Sequence, residues 1–132
     1  MKKSAKLELS EFFHIYNRGN NKERIFKINE NYQFFLSRLI KHLRPVLKIY
    51  SYCLLPNHFH LLVKLKEFDE IEDFKKNDKD YQETESIEKF LSQKFSNFFN
   101  AYSKSFNRYH YRTGRLFQER FGRIKVDTEE YL

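Results

Sequence analysis

The stretch YSYCLLPNHFHLLVKL, residues 50–65, constrains the fold more than any other part of the chain. It reads as two apolar strands, Lys48 to Leu55 and His58 to Leu65, joined at Pro56-Asn57. On a strand, alternate residues share a face. Phe59, Leu61, Val63 and Leu65 therefore point to one side, the natural core side. His58 and His60 point to the other, the open face of a sheet. Two such imidazoles can each offer a ring nitrogen to one divalent cation. Two ligands are not a full site, so a third must come from elsewhere in the fold. The plainer alternative at this spacing is a pair of surface histidines on a half-exposed strand.

The flanking sequence supplies the other layers. Residues 11–18, EFFHIYNR, alternate as a strand, with Phe13 and Ile15 facing one way and Phe12, His14 and Tyr16 the other. GNNKE then makes a turn. Asn29 is placed to cap a helix through about Leu43, with Tyr32, Phe35, Leu36, Leu39, Ile40 and Leu43 as its apolar stripe and Pro45 past its end. Ser86 is placed to cap a longer helix through about Asn107, with Ile87, Leu91, Phe95, Phe98, Tyr102 and Phe106 as its stripe, widened by Phe90 and Phe99. Gly114 breaks that helix, and Phe117 to Val126 reads as a fourth strand. Asp127 or Thr128 can cap a last helix, of which barely one turn is built by Leu132. A chain of 132 residues suffices for one domain with one core. The order βαββαβ, then the start of a helix, is the α+β ferredoxin-like plan. It predicts a four-stranded antiparallel sheet with two helices on one face.

Charge narrows the partners. The net charge is +7, but residues 67–88 hold ten acids against three lysines, −7, which leaves +14 on the rest. Residues 67–85 show no periodicity and read as a mobile acidic insertion. A body so basic favours polyanions, nucleic acid first among them, with solubility as the bland alternative. Residues 104–125 carry seven Lys or Arg against one acid, interleaved with Tyr109, His110, Tyr111 and Phe117. Cations neutralise phosphates, and flat rings stack on unpaired bases. With NRGNNK at 17–22 they predict a groove beside the histidines. Its candidate DNA contacts are Asn17, Arg18, Lys22, Arg108, Tyr109, Tyr111, Arg112, Arg115, Gln118, Arg120 and Arg123. Cys53 stands alone, so neither a disulfide framework nor a cysteine zinc site is expected. No apolar run approaches the roughly 20 residues that span a bilayer, and the N-terminus lacks a signal-peptide core. A cytoplasmic protein with no membrane partner is the expectation.

YCLLPNHFHLLV, residues 52–63, closely resembles the strand–turn–strand core of the single-tyrosine HUH transposases, HUH standing for His-hydrophobic-His. FHIYNRGNNKERIF, residues 13–26, resembles that family's first strand and following loop, and RTGRLFQERF, residues 112–121, the segment leading to its last strand. The nearest branch is the REP-associated tyrosine transposases, which act on palindromic repeats in bacterial chromosomes. Apart from the acidic insertion, the resemblance covers nearly the whole chain. It implies a ferredoxin-like sheet, with His58 and His60 as ligands of Mg²⁺ or Mn²⁺. It also implies cleavage and rejoining of hairpin or single-stranded DNA at palindromic repeat ends through a 5′-phosphotyrosine, by a monomer or weak homodimer.

One departure accompanies it. The family's nucleophile lies in a Tyr-Ile-His-x-Asn-Pro motif on the helix after the last strand, whose Asn supplies a further metal ligand. Alignment puts Tyr131 about two turns, some 10 Å, before that position. The resemblance therefore places nucleophile and Asn beyond Leu132, and a chain ending there is expected to bind DNA without cutting it. Tyr131 is a disfavoured substitute, expected instead to pack the helix start on the sheet. Two rivals stand beside this reading: a nucleic-acid-binding module without catalysis, and a metal-dependent hydrolase using water. The hydrolase needs acidic ligands, and only Glu11 or Glu119 could be brought to the strand by the fold.

Overall fold

Four antiparallel strands form one sheet in the computed structural model, which describes residues 5–78 and 86–126. They are β1 (Phe12–Arg18), β2 (Leu47–Leu55), β3 (His58–Leu65) and β4 (Gly122–Val126), in the order β2-β3-β1-β4. Three helices complete the described chain: α1 (Asn29–Leu43), α2 (Phe68–Lys76) and α3 (Ile87–Tyr109). The arrangement is the ferredoxin-like α+β fold.

The alternation in β1 and β3 decides which face is covered. Phe13, Ile15, Phe59, Leu61, Val63 and Leu65 are buried, while their neighbours His14, Tyr16, His58 and His60 remain partly exposed. α1 and α3 lie on the buried face. Phe35 of α1 meets Phe59 at 5.0 Å and Phe98 of α3 at 5.1 Å between ring centroids. Each such ring contributes roughly 1.5–3 kcal/mol through burial, which makes this aromatic seam the principal tie between helices and sheet. Tyr102 sits in the same seam, and its hydroxyl donates to the Ile25 carbonyl. Burial pushes that phenol far up from its ordinary range.

The helix starts are capped in different ways. Ser86 caps α3 as expected, its Oγ accepting from Lys89 N at 3.1 Å. At α1 the capping amide is Asn31 rather than Asn29. Ile28, the residue before the helix, has no polar side chain. Asn31 Oδ1 folds back to accept from Lys27 N at 2.8 Å and Ile28 N at 3.1 Å.

Two expectations need correcting. The acidic segment is not aperiodic: α2 forms within it, with Ile71 buried, Phe74 packed on the core and Lys75 buried. Spacings of three residues from Phe68 to Ile71 to Phe74 set an apolar stripe that the surrounding acids obscure. Asp78, just beyond, pairs with Lys94 of α3 at 2.5 Å. The fourth strand begins at Gly122 rather than Phe117. Phe117 turns inward against Phe99 and Phe59, and only a single bridge, Gly19 with Phe117, pairs it to the β1 end. Between that bridge and the Tyr16–Gly122 pair lie Asn17 and Arg18 on one side and Gln118 to Phe121 on the other. The longer side bulges out, as an unequal ladder must. The expected caps Asp127 and Thr128, and Tyr131, lie outside the described residues, as do residues 79–85.

Candidate nucleic-acid interface

The site forms where the β2–β3 hairpin, the turn after β1 and the bulge before β4 meet. Asn57, in the hairpin turn, accepts from Gly19 N through its carbonyl at 3.0 Å, while Asn20 N donates to the Leu116 carbonyl at 2.7 Å. Gly19 is required by a close approach, since a Cβ there would strike the Glu23 carbonyl. Asn21 and Lys22 then take left-handed backbone, with φ of 56° and 60°. Consecutive non-glycine residues seldom do so. The three segments enclose a trough of about 720 Å³ whose lining includes His58, His60, Arg18, Lys22, Gln118 and Arg120. Tyr16 and Asn57 also line it.

His58 and His60 project from the same face, their rings 5.1 Å apart and at 88°. His58 Nδ1 lies 2.8 Å from Asn57 Oδ1. A carbonyl oxygen only accepts, so Nδ1 carries a proton there, and in the neutral ring Nε2 is the nitrogen with the lone pair. His60 Nδ1 lies 2.8 Å from His14 Nε2. If Nδ1 donates there, His60 Nε2 likewise keeps a lone pair. Both rings thus match a common pattern of metal-binding histidine, in which the nitrogen not used for the metal is held by a neighbour. Burial first, and the His58 charge second, lower the His60 pKa; burial and then His60 lower that of His14. Each shift favours the neutral form, the one that binds metal. Among the described residues no group of three or more His, Cys, Asp or Glu is arranged to hold an ion, so the two rings are a partial set.

Sequence reasoning missed His14 and Tyr16 as members of this site. Tyr16 is opposite His60 in the ladder, its ring stacked at 5.9 Å, and His14 lies 5.0 Å from both Tyr16 and His60. The β1 alternation already placed both on the open face; the register with β3 was the absent information. Tyr16 also leans on Gly122, where a Cβ would collide with its ring.

The predicted DNA contacts divide into three groups. Arg18, Lys22, Gln118 and Arg120 line the histidine trough. Asn17 borders it but is buried: its Oδ1 accepts from Arg18 N at 2.8 Å and its Nδ2 donates to the Gln118 carbonyl at 3.2 Å. Arg115 and Arg123 line a separate groove against α3, which shares Asn17, Gln118 and Arg120 with the trough. Arg123 pairs with Ile15 in the ladder and so belongs to the helix side of the sheet. Arg108, Tyr109, Tyr111 and Arg112 cluster at the end of α3 and line neither cavity. Tyr111 is 98% exposed. Arg112 is occupied structurally, donating from Nε to Glu23 Oε2 at 2.6 Å and from its other nitrogens to Asn107 Oδ1 and the Gly114 and Arg115 carbonyls. That contact holds the Glu23 carboxyl below its ordinary range.

Fold and site together describe a ferredoxin-like domain with paired histidines on its open face beside a basic trough. No protein-family model matches the chain, and no curated protein does. Two solved structures share the fold, in line with the resemblance that the motifs carry. One is a REP-associated tyrosine transposase bound to a REP hairpin, at TM-score 0.58 and 16% identity, covering 99% of this chain and 66% of that one. The other is a candidate transposase from Deinococcus radiodurans R1, at TM-score 0.59 and 13% identity, covering 99% of this chain and 90% of that one. This chain therefore spans just under two thirds of the first of these proteins.

Proposed function

We propose that the chain is the DNA-binding, metal-holding domain of a single-tyrosine HUH transposase of the REP-associated kind, acting on hairpin or single-stranded DNA at repeat ends. The observation that carries this reading is the placement of His58 and His60, side by side on the uncovered face, in a trough that also holds Arg18, Lys22 and Arg120. The hairpin bound by the first structural relative supports DNA as the partner.

The chain's own residues have distinct tasks. Arg18 and Lys22 neutralise phosphates at one wall of the trough, and Arg120 at the other. His58 and His60 would hold Mg²⁺ or Mn²⁺ through Nε2, with Asn57 and His14 fixing the ring orientations. A divalent ion so held polarises a phosphate oxygen and makes the phosphorus easier to attack. The attacking tyrosine must be presented in line with the leaving oxygen. Tyr131 lies outside the described residues, and Tyr102 is excluded by its burial and its bond to Ile25.

The water-using hydrolase gains nothing from the fold. Glu119 is 84% exposed on its side chain beside Arg115, and Glu11 gives its carbonyl to Leu65 N at the other end of β3. A binding module without metal is the second reading, favoured by the incomplete ligand set among the described residues.

Fluorescence anisotropy with a labelled DNA hairpin bearing a single-stranded tail tests the reading. Arg18→Ala with Lys22→Ala should weaken binding about tenfold and flatten the log–log salt dependence by about 1.4, at about 0.7 per single-strand phosphate. An unchanged slope would contradict the placement of DNA in this trough.

A further inference from the structure

The groove against α3 is larger than the histidine trough, about 900 Å³, and none of the predicted DNA contacts lies on its helix wall. That wall is a polar stripe: Ser92, Ser96, Asn100 and Ser103 recur at helical spacing and line the groove. The apolar core face of α3 is Phe90, Leu91, Phe95, Phe98, Tyr102 and Phe106, whereas Ser92, Ser96 and Asn100 are exposed and Ser103 half-buried, so the stripe contributes little to the core. Opposite stand Arg115, Arg120 and Arg123. Phe121 forms the floor, stacked on Phe95 at 4.7 Å and with the Arg123 guanidinium over its ring at 4.4 Å. The Arg123 Nε is buried and meets no hydrogen-bond partner among the described residues. The acid in the groove is Glu119, 3.9 Å from Arg115 with both side chains largely exposed, a weak pairing in water. Burial, and then the neighbouring Arg120, push the Arg123 guanidinium down from its ordinary range, against a smaller opposing pull from Glu88.

We propose that this groove, with Ser96, Asn100 and Ser103 on one wall and Arg115, Arg120 and Arg123 on the other, holds the phosphodiester backbone of the same DNA as it leaves the histidine trough. The inference rests on reading that trough as a DNA site. Gln118 and Arg120 line both cavities, so a strand passes from one to the other over the bulge before β4. Guanidiniums, hydroxyls and amides are the donors that fix a nucleic-acid backbone without reading bases. Among the described residues Ser96 Oγ is engaged only by a long contact, 3.5 Å, from Asn100 Nδ2, which leaves both side chains able to turn toward a phosphate.

Charge placed on the helix wall tests this without touching the trough. Ser96→Glu with Asn100→Glu adds two carboxylates at exposed helical positions, where Glu is a good helix former. Gln33→Glu with Ser37→Glu, both exposed on α1, is the matched control for net charge. With melting temperatures near the parent's, the double variant should bind the tailed hairpin about tenfold more weakly, and the control within about twofold of the parent. Parent-like binding by the double variant, while Arg18→Ala with Lys22→Ala weakens it, overturns the groove and leaves the trough standing. Absence of hairpin binding by the parent chain overturns both.

Discussion

His14 and His60, 46 residues apart in sequence, meet at 2.8 Å through Nε2 and Nδ1 on the open face of the sheet. The contact holds the His60 ring where it lines the trough. Outer partners of this kind typically govern metal affinity by about 10–100-fold. His14→Ala should therefore weaken Mn²⁺ binding by about tenfold while leaving the fold intact. Calorimetric titration with Mn²⁺, alongside a melting curve, checks this.

Acid should loosen the same cluster. Burial lowers the pKa of both His14 and His60, so the unfolded chain binds protons on these rings more readily than the folded one. Their contribution is complete above the ordinary histidine value of about 6.5 and is lost as pH falls through the lowered folded values. The urea midpoint should drop as pH is taken below about 6.5. His14→Gln, which cannot titrate, should show a shallower fall over the same range.

Tyr16 and Gly122 form a cross-strand pair in which the ring occupies the space a Cβ would need. Gly122→Ala must displace Tyr16, and overpacking of this sort costs about 1–3 kcal/mol. A lowered melting temperature is expected. Tyr16→Ala combined with Gly122→Ala should recover part of the loss, because the clashing ring is gone; a double-mutant cycle measures it.

Asn17 ties β1 to the bulge before β4 with both ends of its buried amide. Asn17→Ala leaves the Arg18 N–H and the Gln118 carbonyl without that partner, a loss of roughly 1–3 kcal/mol. Chemical denaturation should report it. Any fall in DNA affinity should then be the same for every hairpin sequence, since the amide is occupied by backbone rather than offered to bases.

The two-residue period of β1 and β3 made both faces of the central strands legible, and with them the direction of His58 and His60. The aromatic stripes of α1 and α3 were legible for the same kind of reason, apart from Ile40, which is 49% exposed. Register was not legible: nothing in the residues announces that Tyr16 sits opposite both His60 and Gly122. Arg123 shows the consequence. It belonged with the other arginines by composition, but its pairing with Ile15 sends it to the helix side, away from the histidines. α2 was obscured because its stripe, Phe68, Ile71 and Phe74, is short and surrounded by acids that obey no period. Arg112 looked like a phosphate contact, and only the fold reveals that Glu23 and three oxygens of the 107–115 turn already occupy it.

The central claim is that His58 and His60 together grip one divalent ion. Isothermal titration with Mn²⁺ tests it most directly, on the parent chain, on His58→Ala and on His60→Ala. Saturable binding at one site, lost in each single variant while the melting temperature holds, is the predicted result. The same binding heat in all three proteins would contradict it.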